Sequence, residues 1–398
     1  MQENYHRNIK ICPVCRSSET EFIYQLESAP MQNKIYDRLE DALRENKVKI
    51  TLWGCKNCSF VFNADFNPEN IAYISDYDNT QEYSQYFLRY IKRLGKRLIK
   101  KYDLKNKSVV EVGCGKGGFL KILYQNGVKN IKGFDPSYID HDEEVDNLVI
   151  KKYFSPDFLK EKVDFVVCRH VLEHIPNPYE FVNSIVSCLK DDGVMYFEFP
   201  SLEWIVKHKA FFDFYYEHCN YFTKDSVITL FRQFGFTSIT INYGLKGQYF
   251  QVEMRRDNER DSVSEIRKDK KALQKISLRK TSYKNLFREI SDFLENEIRK
   301  WEDMVEKLDI FVVWGAGAKG ITFLNRLNIP QEKCKYVIDI NPKKHNKFVP
   351  ITGQKIVSPQ ILVEENIKNI IIMNPSYKDE IISFAKKYGF QGNFIILE

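Results

Sequence analysis

A chain of 398 residues is longer than one core ordinarily fills, so two or three domains are expected. Its 43% hydrophobic and 29% charged content is that of an ordinary folded chain, and a net charge of +6 over this length is too mild to argue for a nucleic-acid partner. No apolar run approaches the roughly 18 residues of a membrane span, and the opening Met1-Gln-Glu-Asn-Tyr-His-Arg lacks an apolar signal core, so a cytoplasmic protein with no membrane partner is expected. Nine cysteines, an odd number, fit reduced thiols and a metal site better than a disulfide framework.

The first 65 residues carry Cys12-Pro-Val-Cys15 and Cys55-Lys-Asn-Cys58. A two-residue spacer lets both sulfurs of a turn face one ion, and four thiolates close a tetrahedral Zn²⁺ shell, so Cys12, Cys15, Cys55 and Cys58 are candidate ligands of a structural zinc. Asp41-Ala-Leu-Arg-Glu reads as a short helix in the long gap between the pairs, and Trp53, Phe60 and Phe62 can pack beneath the metal. Residues 66–105 begin at Asn67-Pro68 and turn helical, with Tyr73, Tyr77, Tyr83, Tyr86, Phe87 and Tyr90 mostly on one face. Tyr77, in a loop-like Asp-Tyr-Asp-Asn, is a candidate to close over a cofactor.

From 107 to 255 strands and helices alternate as in a doubly wound sheet. The first strand, Val109 to Val112, carries Glu111 and runs into a turn through Gly113, Gly115 and Gly117. Such a turn needs residues that tolerate positive φ and leave the backbone open to a ligand. Asn130-Ile-Lys-Gly-Phe134-Asp135 is the second strand; it ends on an acid 24 positions after Glu111, suited to hold two ribose hydroxyls. Further strands are read at Leu148 to Tyr153, Val163 to Cys168 and Gly193 to Pro200, and an edge hairpin at Ser238 to Tyr243 and Tyr249 to Met254. His170-Val-Leu-Glu173-His174 fits the H-x-x-E-H peptidase pattern, but it directly follows a buried strand and Pro176 and Pro178 cut it short. We read His170 as bordering the reaction cleft and His174 as a packing or hydrogen-bonding residue. Phe211 to Thr223 is an aromatic loop that holds Glu217 and His218 side by side. Charged groups among rings are costly unless satisfied or used, and such a setting brings a histidine into the range of a working base.

Residues 256 to about 307 lack glycine and proline and read as one or two long, exposed helices joining domains. The tail has strand, Gly315-Ala-Gly317-Ala-Lys319-Gly320, then helix, with Asp339 ending the next strand 19 residues after the last glycine. It reads as half of a dinucleotide domain, able to bind a phosphorylated ligand at a helix N-terminus.

The stretch Glu111-x-Gly113-x-Gly115-x-Gly117 resembles the signature of class I S-adenosylmethionine (SAM) methyltransferases. By that resemblance Glu111, Gly113, Gly115, Gly117, Asp135, Pro136, His170 and Tyr77 bind the cofactor. The whole order resembles the sugar C-methyltransferases: a four-Cys module (1–65), a SAM domain with helical lead-in (66–255), a helical connector (256–307) and a Rossmann-like tail (308–398). The family's loop reads Tyr-His-Glu-His; here it reads Tyr215-Tyr216-Glu217-His218, followed by Tyr221-Phe222-Thr223. The resemblance implies an α/β fold, SAM and Zn²⁺ as cofactors, and a nucleotide-linked ketosugar as substrate. His218 is then the base, Glu217 its orienter or a sugar-hydroxyl ligand, and Tyr215 the stabiliser of the enolate oxygen. Tyr216, Tyr221, Gly315, Gly317, Lys319 and Asp339 would bind substrate. The alternatives are O- or N-methylation of a sugar or related metabolite, RNA methylation aided by the cysteine module, and a non-enzymatic assembly scaffold.

Overall fold

The structure is a computed structural model that describes residues 10–71, 80–140, 142–255 and 270–396, with 270–282 as backbone alone. Tyr73, Tyr77 and Ile266 lie outside the described residues, and the side chains of Leu273 and Ile276 lie outside them too.

The N-terminal sheet pairs β1 (Thr20–Pro30), β2 (Lys47–Cys55) and β3 (Val61–Asn63) antiparallel. Its fourth strand comes from far along the chain: β9 (Asn220–Tyr221), directly after His218, pairs with β3. The expected short helix is Leu39–Leu43.

The central sheet follows from alternation of apolar strands and amphipathic helices. Its members are β4 (Val109–Val112), β5 (Ile131–Phe134), β6 (Val149–Ile150), β7 (Val163–Arg169), β8 (Leu189–Pro200), β10 (Ser238–Gly244) and β11 (Tyr249–Arg255). The order is β10-β11-β8-β7-β4-β5-β6. The pairs β4–β5, β5–β6, β4–β7 and β7–β8 are parallel, and β11 runs antiparallel to both β8 and β10. This is the class I SAM methyltransferase sheet, with the edge hairpin where the sequence puts it. The strand expected at Leu148 to Tyr153 is only two residues long, because Lys151 and Lys152 turn outward at the sheet edge.

The tail holds five parallel strands in the order β14-β13-β12-β15-β16: β12 (Phe311–Trp314), β13 (Tyr336–Ile338), β14 (Lys355–Val357), β15 (Asn369–Ile372) and β16 (Asn393–Ile396). The strand missed in the sequence is β14, three residues without an apolar run.

The helix Lys270–Lys307 is not an exposed connector. Tyr283, Phe287, Ile290, Phe293, Leu294, Trp301 and Val305 are buried on one face, at helical spacing. They share a core with Leu26, Ile50 and Leu52 of the N-terminal sheet, Phe211 and Phe214 of the aromatic loop, and Ile321 and Phe323 of the tail. Between residues 284 and 307 the charged side chains lie exposed on the other face, except Glu297, which is buried.

The contact of this helix with β2 depends on one small residue. A Cβ on Gly54 would lie 2.3 Å from the Phe287 ring. Gly54→Ala should therefore lower unfolding stability by about 1–3 kcal/mol, measured by urea denaturation, because the ring has no room to yield. Phe287→Ala should cost about 3–5 kcal/mol by leaving a cavity.

Candidate active site

The cofactor half is built at the carboxyl end of β4. Gly113, Gly115 and Gly117 adopt φ of 71°, 55° and 78°, left-handed values that side chains rarely take. Gly113 and Cys114 donate N–H bonds to Phe134 O, which lashes the turn to β5. Asp135, at the end of β5, accepts from Gly115 N at 2.8 Å through one oxygen and from Ser137 N and Oγ at 2.8 and 2.6 Å through the other. Half-buried Pro136 sets the turn between them.

Two observations fit this turn to SAM. A Cβ placed on Gly115 meets nothing within 4 Å, so the backbone there is open. Glu111 is 2% exposed and its Oε2 has no hydrogen-bond partner, so a carboxylate oxygen awaits a donor. Burial pushes the Glu111 carboxyl up to about 8, against the pull of Arg169. Glu82, which the sequence did not single out, lies at the same place: its Oε1 would be 1.8 Å from a Cβ on Gly118.

His170 follows β7 with φ of 55°, half-buried against Tyr249 at 4.5 Å between ring centres. Its Nδ1 is 3.5 Å from Glu173 and its Nε2 3.3 Å from Glu198; the latter is ion-pair range without hydrogen-bond alignment. Burial pulls its pKa down, but the two carboxylates outweigh it and hold the pKa up. Glu198 is fully buried; burial would raise its pKa, yet Arg169 at 2.8 Å and His170 keep it low and charged.

The second candidate group is the aromatic loop between Ser201 and Thr223. His218 is 6% exposed, and its Nε2 lies 2.5 Å from the Tyr215 hydroxyl. Burial, helped by the positive field of His174 and Lys319, drives the His218 pKa well below its ordinary value, so the ring is neutral at physiological pH. Burial raises the Tyr215 phenol, which keeps its proton. The Glu217 carboxylate, fully buried, accepts from Asn33 N at 2.8 Å. The Tyr216 hydroxyl takes N–H bonds from Asn67 and Asn70, at 2.9 and 3.0 Å, and the Tyr221 hydroxyl reaches Tyr215 O at 3.4 Å. His174 makes the hydrogen bond expected of it and also stands beside His218. Its ring is 4.7 Å from His218 and its Nδ1 is 3.0 Å from Glu217 O, because the 3₁₀ turn Leu172–His174 is held by Asn220 Nδ2 on Leu172 O and Ile175 O.

The second glycine turn reaches the same loop. Asp339 accepts from Ala316 N at 2.9 Å, and Lys344 donates to Ala316 O at 2.9 Å, so the Gly315–Gly317 turn is closed by the tail's own residues. A Cβ on Gly317 would meet nothing. Lys319 is turned away from that turn. Its ammonium pairs with Asp213 and lies over the rings of Trp204 and Phe212, 5.4 and 5.3 Å from their centres. Burial lowers the Lys319 pKa while Asp213 resists. Asp213 Oδ2 is buried without a partner.

At the other end, the four cysteines converge. Cys12 and Cys58 sulfurs are 3.7 Å apart, Cys15 and Cys55 3.5 Å, and all four lie within 4.8 Å of one another. Each pair forms the same turn: Arg16 N bonds Cys12 O and Ser59 N bonds Cys55 O, with Arg16 and Ser59 at φ of 58° and 59°. Phe60, Phe62 and Trp53 pack behind them. Among the described residues no helix is long and apolar enough to cross a membrane.

Residues 80–241 match the family model described as a methyltransferase domain, and residues 245–397 match the C-methyltransferase C-terminal domain. The chain is similar over 98% of its length to the C-methyltransferase NovU of Streptomyces niveus, at 21% identity and covering 96% of that protein. A ubiquinone biosynthesis O-methyltransferase of Glaesserella parasuis is 28% identical over 33% of this chain and 51% of its own length. Among solved structures, magnesium protoporphyrin IX methyltransferase of Synechocystis with bound SAM aligns over 43% of this chain and 80% of its own, at 16% identity and a TM-score of 0.32. The turn fitted to SAM lies in the first matched domain and Lys319 in the second, and the chain is accordingly an S-adenosylmethionine-dependent methyltransferase whose methyltransferase domain is followed by a match to the C-methyltransferase C-terminal domain.

Proposed function

We propose that the chain methylates a carbon beside the ketone of a nucleotide-linked sugar, with His218 as base. The observation that carries this reading is the buried pair of a neutral His218 imidazole and a protonated Tyr215 phenol, 2.5 Å apart. A carbon next to a carbonyl becomes a nucleophile only when its proton is taken, which demands a base held unprotonated; oxygen and nitrogen acceptors already carry lone pairs. His218 takes the C–H proton, the bond's electrons pass into the enolate, and the Tyr215 hydroxyl donates to the developing oxyanion. His174, beside His218, is placed to pass the proton outward. SAM bound along Gly113–Gly117 supplies an electrophilic methyl group. Glu111, Asp135 and Pro136 would hold it, with His170 at the cleft wall. Lys319, supplied by the tail and paired with Asp213, stands on the acceptor side; Gly315, Gly317 and Asp339 shape the turn that presents it.

O-methylation is the second reading, favoured by the similarity of the SAM half to ubiquinone biosynthesis O-methyltransferases. Product NMR after incubation with labelled SAM and a panel of nucleotide-linked 4-ketosugars separates them: a new C–CH₃ signal supports the proposal, and O–CH₃ or N–CH₃ overturns it. On the proposed mechanism His218→Ala loses about 10²–10⁴ in turnover while SAM affinity by calorimetry stays within about twofold.

Glu111 carries its own signature. Its carboxyl, near 8 in the free protein, must ionise to hold the positive charges of SAM, so binding releases a proton below pH 8. SAM affinity should rise between pH 6.5 and about 8.5, and Glu111→Gln should flatten that slope relative to the parent chain.

The four-cysteine cluster is read as a structural Zn²⁺ site. A tetrahedron with Zn–S near 2.3 Å needs sulfurs about 3.8 Å apart, which the 3.5 and 3.7 Å separations approach, and the shell leaves no position for chemistry. Elemental analysis should find about one zinc per chain. Cys55→Ser should lose it and unfold at lower urea, with the N-terminal sheet affected first.

A further inference from the structure

Two helix N-termini meet between the methyltransferase domain and the tail. Ser84 caps Gln85–Tyr102 by accepting Phe87 N at 3.1 Å. The next free donors of that helix, Gln85 N and Tyr86 N, give their hydrogens to Glu380 Oε1 at 2.8 and 3.2 Å, and Ser84 Oγ donates to Glu380 Oε2. Glu380 stands in the first turn of Lys378–Lys387, so one carboxylate serves the positive ends of two helices. Beside it the Tyr377 hydroxyl donates to Gln81 Oε1 at 2.6 Å, and its ring packs edge-on against Tyr86 at 5.7 Å. Asn374 reaches Gln248 at 3.3 Å.

The residues held in this way, 81 to 84, form one short strap. Within it stands Glu82, whose carboxylate lies against Gly118, the first helical residue after the glycine turn. The tail therefore holds residues on both sides of Glu82. We propose that Glu380 and Tyr377 are positioning residues for SAM: the tail holds the 81–84 strap so that Glu82 faces the cofactor, which makes cofactor affinity depend on tail docking. The inference goes beyond the choice of acceptor and stands whether carbon or oxygen is methylated.

Linkage makes the dependence reciprocal: if docking of the tail strengthens SAM binding, SAM strengthens docking by the same factor. The stabilisation that a carboxylate bonded to helix N–H groups gives sets the scale as about two- to thirtyfold in affinity.

The test uses the full chain and SAM alone, so it does not require the acceptor. Glu380→Ala should weaken SAM binding by about tenfold in calorimetry, and Glu380→Gln, which keeps an acceptor for the two N–H groups, should recover most of it. Tyr377→Phe, which deletes one hydroxyl and leaves the ring in place, should weaken SAM about two- to fivefold and covers the case in which Glu380→Ala fails to fold. In the parent chain, saturating SAM should slow hydrogen exchange at Gln85 and Tyr86, and Glu380→Ala should abolish that slowing. Affinities within twofold of the parent in the folded variants, or no SAM-dependent slowing at residues 85 and 86, would overturn the proposal.

Discussion

Asp213, Glu217 and His218 are buried within six residues of one another in a loop otherwise made of aromatic rings. Removing such groups from water costs several kcal/mol each unless partners replace it. The partners come from separate stretches of chain. Asn33, just past the N-terminal strand β1, holds Glu217; Lys319 of the tail holds Asp213; Tyr215 and His174 flank His218. The loop is satisfied only when all of these stretches are in place, and its flanking residues Phe211, Phe214 and Tyr221 belong to the one core that the N-terminal sheet, the long helix and the tail share. The chain's order of parts thus has a physical reason: the loop proposed to carry the chemistry sits where the other parts converge.

The tail carries a second glycine turn of the same kind, braced by its own Asp339 and Lys344. Asp135 and Asp339 make matching bonds, each through Oδ2 to a turn N–H, on Gly115 and Ala316 respectively. Both turns leave backbone open, at Gly115 and at Gly317; near the first lies the unpartnered Glu111 carboxyl oxygen, while in the second Lys344 binds Ala316 O and the next cation, Lys319, points into the neighbouring domain. One local geometry thus stands in two different settings.

How much could be read beforehand depends on sequence distance. The Glu-Gly-Gly-Gly turn, the acid closing β5, the Cys-x-x-Cys pairs and the edge hairpin are local patterns, fixed by turn chemistry and period-two alternation, and they were legible. Contacts between distant residues were not: Glu217–Asn33 spans 184 positions, Lys319–Asp213 spans 106 and Ser84–Glu380 spans 296. The helix Lys270–Lys307 misled because its charges are real and its buried face is sparse, a Phe or Trp per turn among lysines and glutamates. His174 was undervalued because nothing in His-x-x-Glu-His reveals that a 3₁₀ turn, clamped by Asn220, would carry the second histidine to the ring of His218.

On the proposed mechanism, His218 shows why burial, rather than a charged partner, would make the base. A carboxylate bonded to the ring would raise its affinity for the proton but also favour the imidazolium at rest, as Glu173 and Glu198 do for His170. At His218 the nearest hydrogen-bonding group is a phenol, which leaves the ring neutral, and the positive field of Lys319 and His174 holds it so. The two histidines are therefore in opposite electrostatic settings across one cleft: His170 inclined to keep a proton, His218 to lack one. Enzymes commonly assign acid and base in this way, by pushing apart the proton affinities of two like groups. Beyond burial and His174, part of the push on His218 comes from Lys319 of the tail, so the charge state of the aromatic loop is set in part by the docking of the tail.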